Sequence, residues 1–519
     1  MLVLVSMKFG NQLVAFLDQR YNQAFLVVLL AGVLLRLKYF FMESIWNDAS
    51  VHLWYALKFL RQPSFMFSYS FLSGDYVVPQ FITAFFYIFT QDIFVAGKLM
   101  ALFYAIVGIF FMYLLGSELK DKQFGLIAAL VFAFNPLFWF YSVRPLADAP
   151  LTAMFVVGAY CILKLEKERT RLWAIITVGV LFAAMLTKNA AILLFIAFLI
   201  YFPTFKYKIL KDTAVRFAYL LAVGLFVLAN LVYYALFRAN LVYEVFIAKI
   251  INQEGLLQGF EAISYLPHLL SWYVLIFAII GTFFVLFYRK KEFYFILLAP
   301  FIFWIYIEFF VRNAFDRYML PVVPFIILLA VFGIIELSEL AKLAIKSKYV
   351  KLAIIAVVVI LICFNYYQYG SALTDSKVES YVGYAEAGDW VKANVPETNA
   401  VLFAGSWRSM RTFSERETVD SYLDAQDGNL VNLRSDRYFN SREVFEADLV
   451  KALSDGKQVY LEIDIWEYAQ PSWYFPLTQE SVNYFQTLGF VPANIIEYEL
   501  TTQQGLQKMP VILILKHGN

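Results

Sequence analysis

The chain has 519 residues, of which 61% are hydrophobic, 19% aromatic and only 16% charged, with a mean hydropathy of +0.65. An ordinary soluble chain is about 45–50% apolar and about 25% charged, so a water-soluble fold, a disordered chain and a disulfide scaffold are all excluded, and most of the sequence must face lipid. The formal net charge of +2 conceals a split: residues 1–374 carry 30 basic and 19 acidic side chains, residues 375–519 carry 12 and 21. The change of sign and hydropathy near residue 370 predicts a membrane domain over 1–374 and a soluble domain over 375–519. Cys161 and Cys363 lie in apolar runs and His52, His268 and His517 are widely scattered, which argues for neither a disulfide nor a zinc site.

A bilayer core of about 30 Å takes about 20 apolar residues per helix. In chain order that ruler picks out about 11 transmembrane helices, near 24–42, 93–115, 123–141, 149–165, 172–187, 189–205, 214–237, 267–288, 292–311, 318–340 and 350–369. With a cytoplasmic N-terminus the inner loops hold 19 Lys and Arg and the outer loops 8. Positive charge marks the cytoplasmic side, so the N-terminus is expected inside and, the span count being odd, residues 375–519 outside. The first span is long enough to serve as a retained anchor without a cleaved signal. No Asn-x-Ser/Thr sequon occurs, which leans towards a prokaryotic protein of the plasma membrane.

The outer loops hold the chemically distinctive residues. Segment 43–92 predicts two interfacial helices: one starting near Asp48, with Asp48, His52 and Tyr55 at i, i+4 and i+7 on one face, and an aromatic one over Tyr76–Phe89. The next outer turn, Tyr141–Pro150, sets Arg144 four residues before Asp148 between prolines. Lys188 sits in a short turn between apolar segments, and Arg312 and Arg317 precede Pro321 and Pro324. Two arginines at an interface suit an anionic headgroup. Each residue also has a plain structural reading: Asp48 as a helix cap, Arg144 with Asp148 as an exposed ion pair, and Lys188, Arg312 and Arg317 as snorkelling anchors. What sets them apart is their recurrence on one side of the membrane, in loops joining different spans.

Taken in order, Trp46-Asn-Asp48, Asn135-Pro136, Arg144-Pro-Leu-Ala-Asp148, Leu186-Thr-Lys188 and Arg317-Tyr-Met-Leu-Pro-Val-Val-Pro324 resemble the GT-C membrane glycosyltransferases of the family 39 type. That group includes protein O-mannosyltransferases and the lipid A aminoarabinose transferase. The resemblance covers most of 24–340. It implies a polyprenyl-phosphate-sugar donor, dolichyl or undecaprenyl, with the reaction on the extracytoplasmic side. Such enzymes usually carry adjacent Asp and Glu in the first outer loop; here Asp48 is followed by Ala49, so a divalent metal stays open as a cofactor but has no acidic pair to support it, and no other cofactor is indicated.

An inverting transfer needs a carboxylate to take the proton of the acceptor hydroxyl. The phosphate leaving group needs cations rather than an acid. Asp48 is therefore the expected base, with Asp148 assisting. Lys188, Arg312, Arg317 and Arg144 are the candidates for the donor phosphate, and His52 and Tyr55 for the sugar or acceptor pocket. The acceptor is a lipid, a glycan or a protein.

Residues 375–519 alternate helical stretches (380–394, 442–453, 480–488) with strand-like ones (400–404, 459–464, 511–515), the pattern of an α/β domain. Its acidic surface fits a cap over the site, a guide for the acceptor, or a merely solubilising role. No nucleotide loop or nucleic-acid patch is present. Two other functions compete: a transporter or flippase of lipid-linked glycans, which would place its ionisable groups in broken helices at mid-membrane, and an oligosaccharyltransferase-like enzyme, which would bind metal through an acidic pair.

Overall fold

A computed structural model describes residues 20–42, 44–68, 77–239, 261–311, 315–419, 430–432, 442–466, 477–502 and 505–518. The chain divides into two compact units. One comprises the residues up to Phe40 with Phe59–Asp375, and the other Phe41–Lys58 with Ser376–Asn519.

The first unit is helical. In order it contains α1 (Arg20–Leu37), then, after the loop helix α2 (Asn47–Arg61), which packs with the second unit, α3 (Val77–Thr90), α4 (Ile93–Leu119), α5 (Lys122–Phe134) and the short α6 (Pro136–Tyr141). There follow α7 (Asp148–Glu168), α8 (Arg171–Thr187), α9 (Ile192–Phe205), α10 (Thr213–Phe237), α11 (Leu266–Phe287), α12 (Tyr294–Phe310), α13 (Val323–Ile345) and α14 (Lys348–Asp375). Each expected span overlaps one or two of these helices, though 24–42 runs past Leu37 and 318–340 starts before Val323. Eight segments among the described residues are long and apolar enough to cross a membrane. The expected spans 123–141, 172–187 and 189–205 fall on the shorter α5 with α6, α8 and α9. Burial separates a centre from a rim: the segments containing α7 and α13 are 89% buried, α10 only 11%, its leucines and valines turned outwards.

Two interruptions shape this unit, and each is satisfied by named side chains, as backbone buried in a membrane requires. Pro136 cannot donate to the ladder, so α5 stops at Phe134. Asn135 Oδ1 then accepts the Phe138 N–H at 2.9 Å, and the Ala133 carbonyl is taken by Arg36 Nη1 at 3.2 Å. Arg36 also donates through Nε to Ser142 Oγ at 2.6 Å. The second interruption lies in α11, where Ser271 has φ +59. The carbonyls of Leu269 and Leu270 there accept from Asn135 Nδ2 and the Tyr366 hydroxyl, both at 2.7 Å. Further along, α11 and α13 approach through glycine: a Cβ on Gly281 would overlap the Leu329 carbonyl, and one on Gly333 the Phe277 carbonyl.

The second unit is a three-layer α/β domain. Six strands, β1 (Ala400–Ala404), β2 (Thr418–Val419), β3 (Leu430–Asn432), β4 (Gln458–Asp464), β5 (Phe490–Thr502) and β6 (Gly505–His517), form one sheet in the order β2-β3-β1-β4-β6-β5. The first four are parallel; β6 runs antiparallel to β4, and β5 to β6. Side chains alternate faces along a strand. Val401, Phe403, Val459, Leu461 and Ile463 pack with Phe445 and Leu449 of α17 (Arg442–Ser454) and Phe485 of α18 (Gln479–Thr487). The opposite face, with Glu462 and Asp464, meets α15 (Tyr384–Asn394) and α16 (Trp407–Ser414). Four of these elements have no clear sequence signal: β2 and β3 are only two and three residues long, α16 is short and polar, and β5 contains Pro492. As the edge strand, β5 accommodates that proline at an irregularity between Pro492 and Asn494.

Candidate functional site

In the membrane unit polar side chains meet where α7 begins, where α8 ends and in the segment that precedes α13. Asp148 is the first residue of α7 and is only 4% exposed. Its Oδ1 accepts from Lys188 Nζ at 2.7 Å, Lys188 being the residue at which α8 ends. The Lys188 ammonium lies 5.2 Å from the centre of the Tyr318 ring, and the Arg317 guanidinium 5.6 Å from the same ring. Asp316 holds this segment, since its Oδ1 accepts from the Tyr141 hydroxyl at 2.9 Å and from the Arg317 N–H at 2.6 Å. Three of the expected residues, Asp148, Lys188 and Arg317, thus share one neighbourhood organised by Tyr318. A lysine held by a buried carboxylate is fixed in direction, and its ammonium keeps its positive charge.

Arg144 is placed differently. It is buried, its guanidinium stacked 3.4 Å from the centre of the Phe140 ring and bonded to the Phe140 carbonyl. The exposed ion pair considered for Arg144 and Asp148 does not fit, because both side chains are buried and the carboxylate of Asp148 is engaged by Lys188. Arg312 lies outside the described residues.

In the second unit Asp48 sits in the first turn of α2, its side chain 50% exposed. Arg408 of α16 donates from Nη1 to Asp48 Oδ1 at 3.0 Å. His52 and Tyr55 are half-buried, and the Arg411 guanidinium lies 6.0 Å from the Tyr55 ring. The amphipathic pattern explains the docking: Ala49, Leu53, Trp54, Ala56 and Leu57 are buried, leaving Asp48 on the polar face.

Sequence reasoning missed several groups. Arg408, 360 positions from Asp48, carries no local signal. Glu308, a lone acid in the aromatic α12, is buried and accepts from Trp304 Nε1 at 3.0 Å and the Ile263 N–H at 3.2 Å. An ionisable residue inside an apolar span is itself a signal, and Lys98 in α4, also buried, is another. Among the described residues no group of three or more His, Cys, Asp and Glu is placed to hold a metal ion.

Comparison with known proteins gives a consistent class. Residues 76–234 match the family described as dolichyl-phosphate-mannose-protein mannosyltransferase. ArnT from Cupriavidus metallidurans bound to undecaprenyl phosphate superposes with a TM-score of 0.62 at 10% identity, over 95% of this chain and 97% of that one. The Archaeoglobus fulgidus oligosaccharyltransferase in the apo form gives 0.55 at 13%, over 85% and 69%. The mycobacterial arabinofuranosyltransferase AftD gives 0.54 at 11%, over 95% and 40%. No curated protein matches the chain in sequence. The chain has the GT-C fold of membrane glycosyltransferases, a multi-pass helical unit followed by a small sheet domain, as its sequence resemblance implies. Within that fold, residues 76–234 are the part of the chain that is similar to the mannosyltransferase family.

Proposed function

We propose that the protein transfers a sugar from a polyprenyl-phosphate donor to an acceptor hydroxyl, with inversion, on the extracytoplasmic face of the plasma membrane. The observation that carries this reading is the likeness to ArnT over nearly the full length of both chains, that protein having undecaprenyl phosphate bound. In the proposed reaction Asp48 takes the proton of the acceptor hydroxyl as its oxygen forms a bond to the anomeric carbon. The bond from that carbon to the phosphate oxygen breaks, and the polyprenyl phosphate leaves as an anion. Lys188 and Arg317, with Arg312 and secondarily Arg144, stabilise the charge that builds there, and Asp148 supports Lys188. His52 and Tyr55, one and two turns along from Asp48, line the sugar or acceptor pocket. The fold relatives named above are glycosyltransferases, which favours transfer over transport.

The test is transfer by the purified protein from dolichyl-phosphate mannose and from undecaprenyl-phosphate sugars, in wild type and Asp48→Asn. General-base assistance is worth about 10²–10⁴-fold, so Asp48→Asn is expected to lower kcat by that order with the fold intact. Wild-type turnover in the variant would move the base elsewhere, Asp148 being next.

A further inference from the structure

The helix that carries Asp48 comes from the first outer loop, yet it packs as an element of the C-terminal unit. Its seat there is α16. Ser50 Oγ lies 3.2 Å from Ser409 Oγ, and Thr412 Oγ1 donates to the Ser50 carbonyl at 2.7 Å, all three residues being fully buried. The Arg411 guanidinium lies 5.3 Å from the Trp54 ring and 5.0 Å from that of Trp407. The seat is fixed in turn to the sheet: α16 starts after Ser406, whose N–H donates to Glu462 Oε2 at 3.0 Å at the end of β4. From the top of this helix Arg408 reaches Asp48 at 3.0 Å.

We propose that Arg408 is a positioning residue for Asp48, and that α16 of the C-terminal unit is the mount that aims the base. The proposal rests on the reading of Asp48 as the base. Two features of the geometry give it this form. In an inverting displacement the acceptor oxygen and the leaving phosphate lie on opposite sides of the anomeric carbon, so a cation paired with the base is on the acceptor side and is not a ligand of the leaving phosphate. The pair is also exposed, with side chains 39% and 50% accessible, and such pairs contribute little to stability. The guanidinium restricts the carboxylate to one direction while leaving its charge in place, and orientation of a reacting group governs rate far more than stability. The C-terminal domain then has a role that neither a cap nor a solubilising module would have: it holds the base.

The experiment is a double-mutant cycle in the full-length protein, with Asp48→Asn, Arg408→Ala, the double variant and Arg408→Lys. Activity is read with the polyprenyl-phosphate sugar that the wild type turns over, and donor-site occupancy by titration with undecaprenyl phosphate. Arg408→Ala is expected to lower kcat by about tenfold, with undecaprenyl phosphate affinity and apparent Tm unchanged, and Arg408→Lys to recover most of the loss. In the Asp48→Asn background, Arg408→Ala is expected to cost little more, since it acts through a carboxylate that is no longer there. A loss of the same size in that background, unchanged kcat in the single variant, or a loss confined to undecaprenyl phosphate affinity overturns the proposal alone. Wild-type turnover in Asp48→Asn overturns the base assignment, and this proposal with it.

Discussion

Lys188 Nζ and Asp148 Oδ1 are 2.7 Å apart, with side chains only 15% and 5% exposed, joining the end of α8 to the start of α7. Breaking a buried pair by removing one partner typically costs about 3–5 kcal/mol, whereas replacing both with uncharged residues of similar volume is often neutral. Asp148→Ala is therefore expected to lower the apparent Tm in detergent, and Asp148→Asn with Lys188→Met to restore most of it. A double variant as unstable as the single would show that the charges do not depend on each other.

Donor recognition makes a separate demand. If Lys188 and Arg317 hold the leaving phosphate, Lys188→Ala and Arg317→Ala should each weaken undecaprenyl phosphate binding by about tenfold or more, a charge-assisted hydrogen bond being worth roughly 1.5–3 kcal/mol. Binding titration of the purified variants checks this. Unchanged affinity in these two and in Arg312→Ala would remove the assignment.

The expected topology is open to chemical labelling. The loop charges predict that a cysteine at Ser376, in a background lacking Cys161 and Cys363, reacts with an impermeant maleimide added outside intact cells. Reaction only after permeabilisation would reverse the orientation of the whole chain.

Glu462 and Asp464 are fully buried two residues apart on one face of β4. Burial raises both carboxyls, Glu462 well above the usual range with the Asp464 charge adding to the effect, while hydrogen bonds from Ser406, Trp466 and Tyr384 pull Asp464 partly back. A raised folded-state pKa means that the folded domain keeps a proton after the unfolded chain, near pH 4, has released its own. The contribution is fully present below that pH and is lost as pH rises towards the folded value, at about 1.4 kcal/mol per pH unit for one proton. Hydrogen exchange in β4, corrected for intrinsic rates, should show protection falling with pH in the wild type. In Glu462→Gln, which needs no proton to stay neutral, the decline should be much flatter.

Hydropathy alone determined that the chain is a polytopic membrane protein with a small α/β domain after residue 375, because burial in lipid and the alternation of strands are written into composition and period. It also marked Asp48, Asp148, Lys188 and Arg317, since charged residues at the ends of apolar runs stand out. Tertiary structure decided their company. Lys188 meets Asp148 only because α7 and α8 return to the same level, and Arg317 joins them around Tyr318 through a segment near residue 316 that no periodicity describes. The short α16 and the proline-bearing β5 gave weak local signals because their stability comes from the sheet they pack on rather than from their own sequence. Asp48 and Arg408 are the extreme case: 360 residues separate them, and only the packing of a loop helix onto a distant domain brings carboxylate and guanidinium within 3.0 Å. Local sequence sets which residues are costly to bury; the fold alone sets which of them meet.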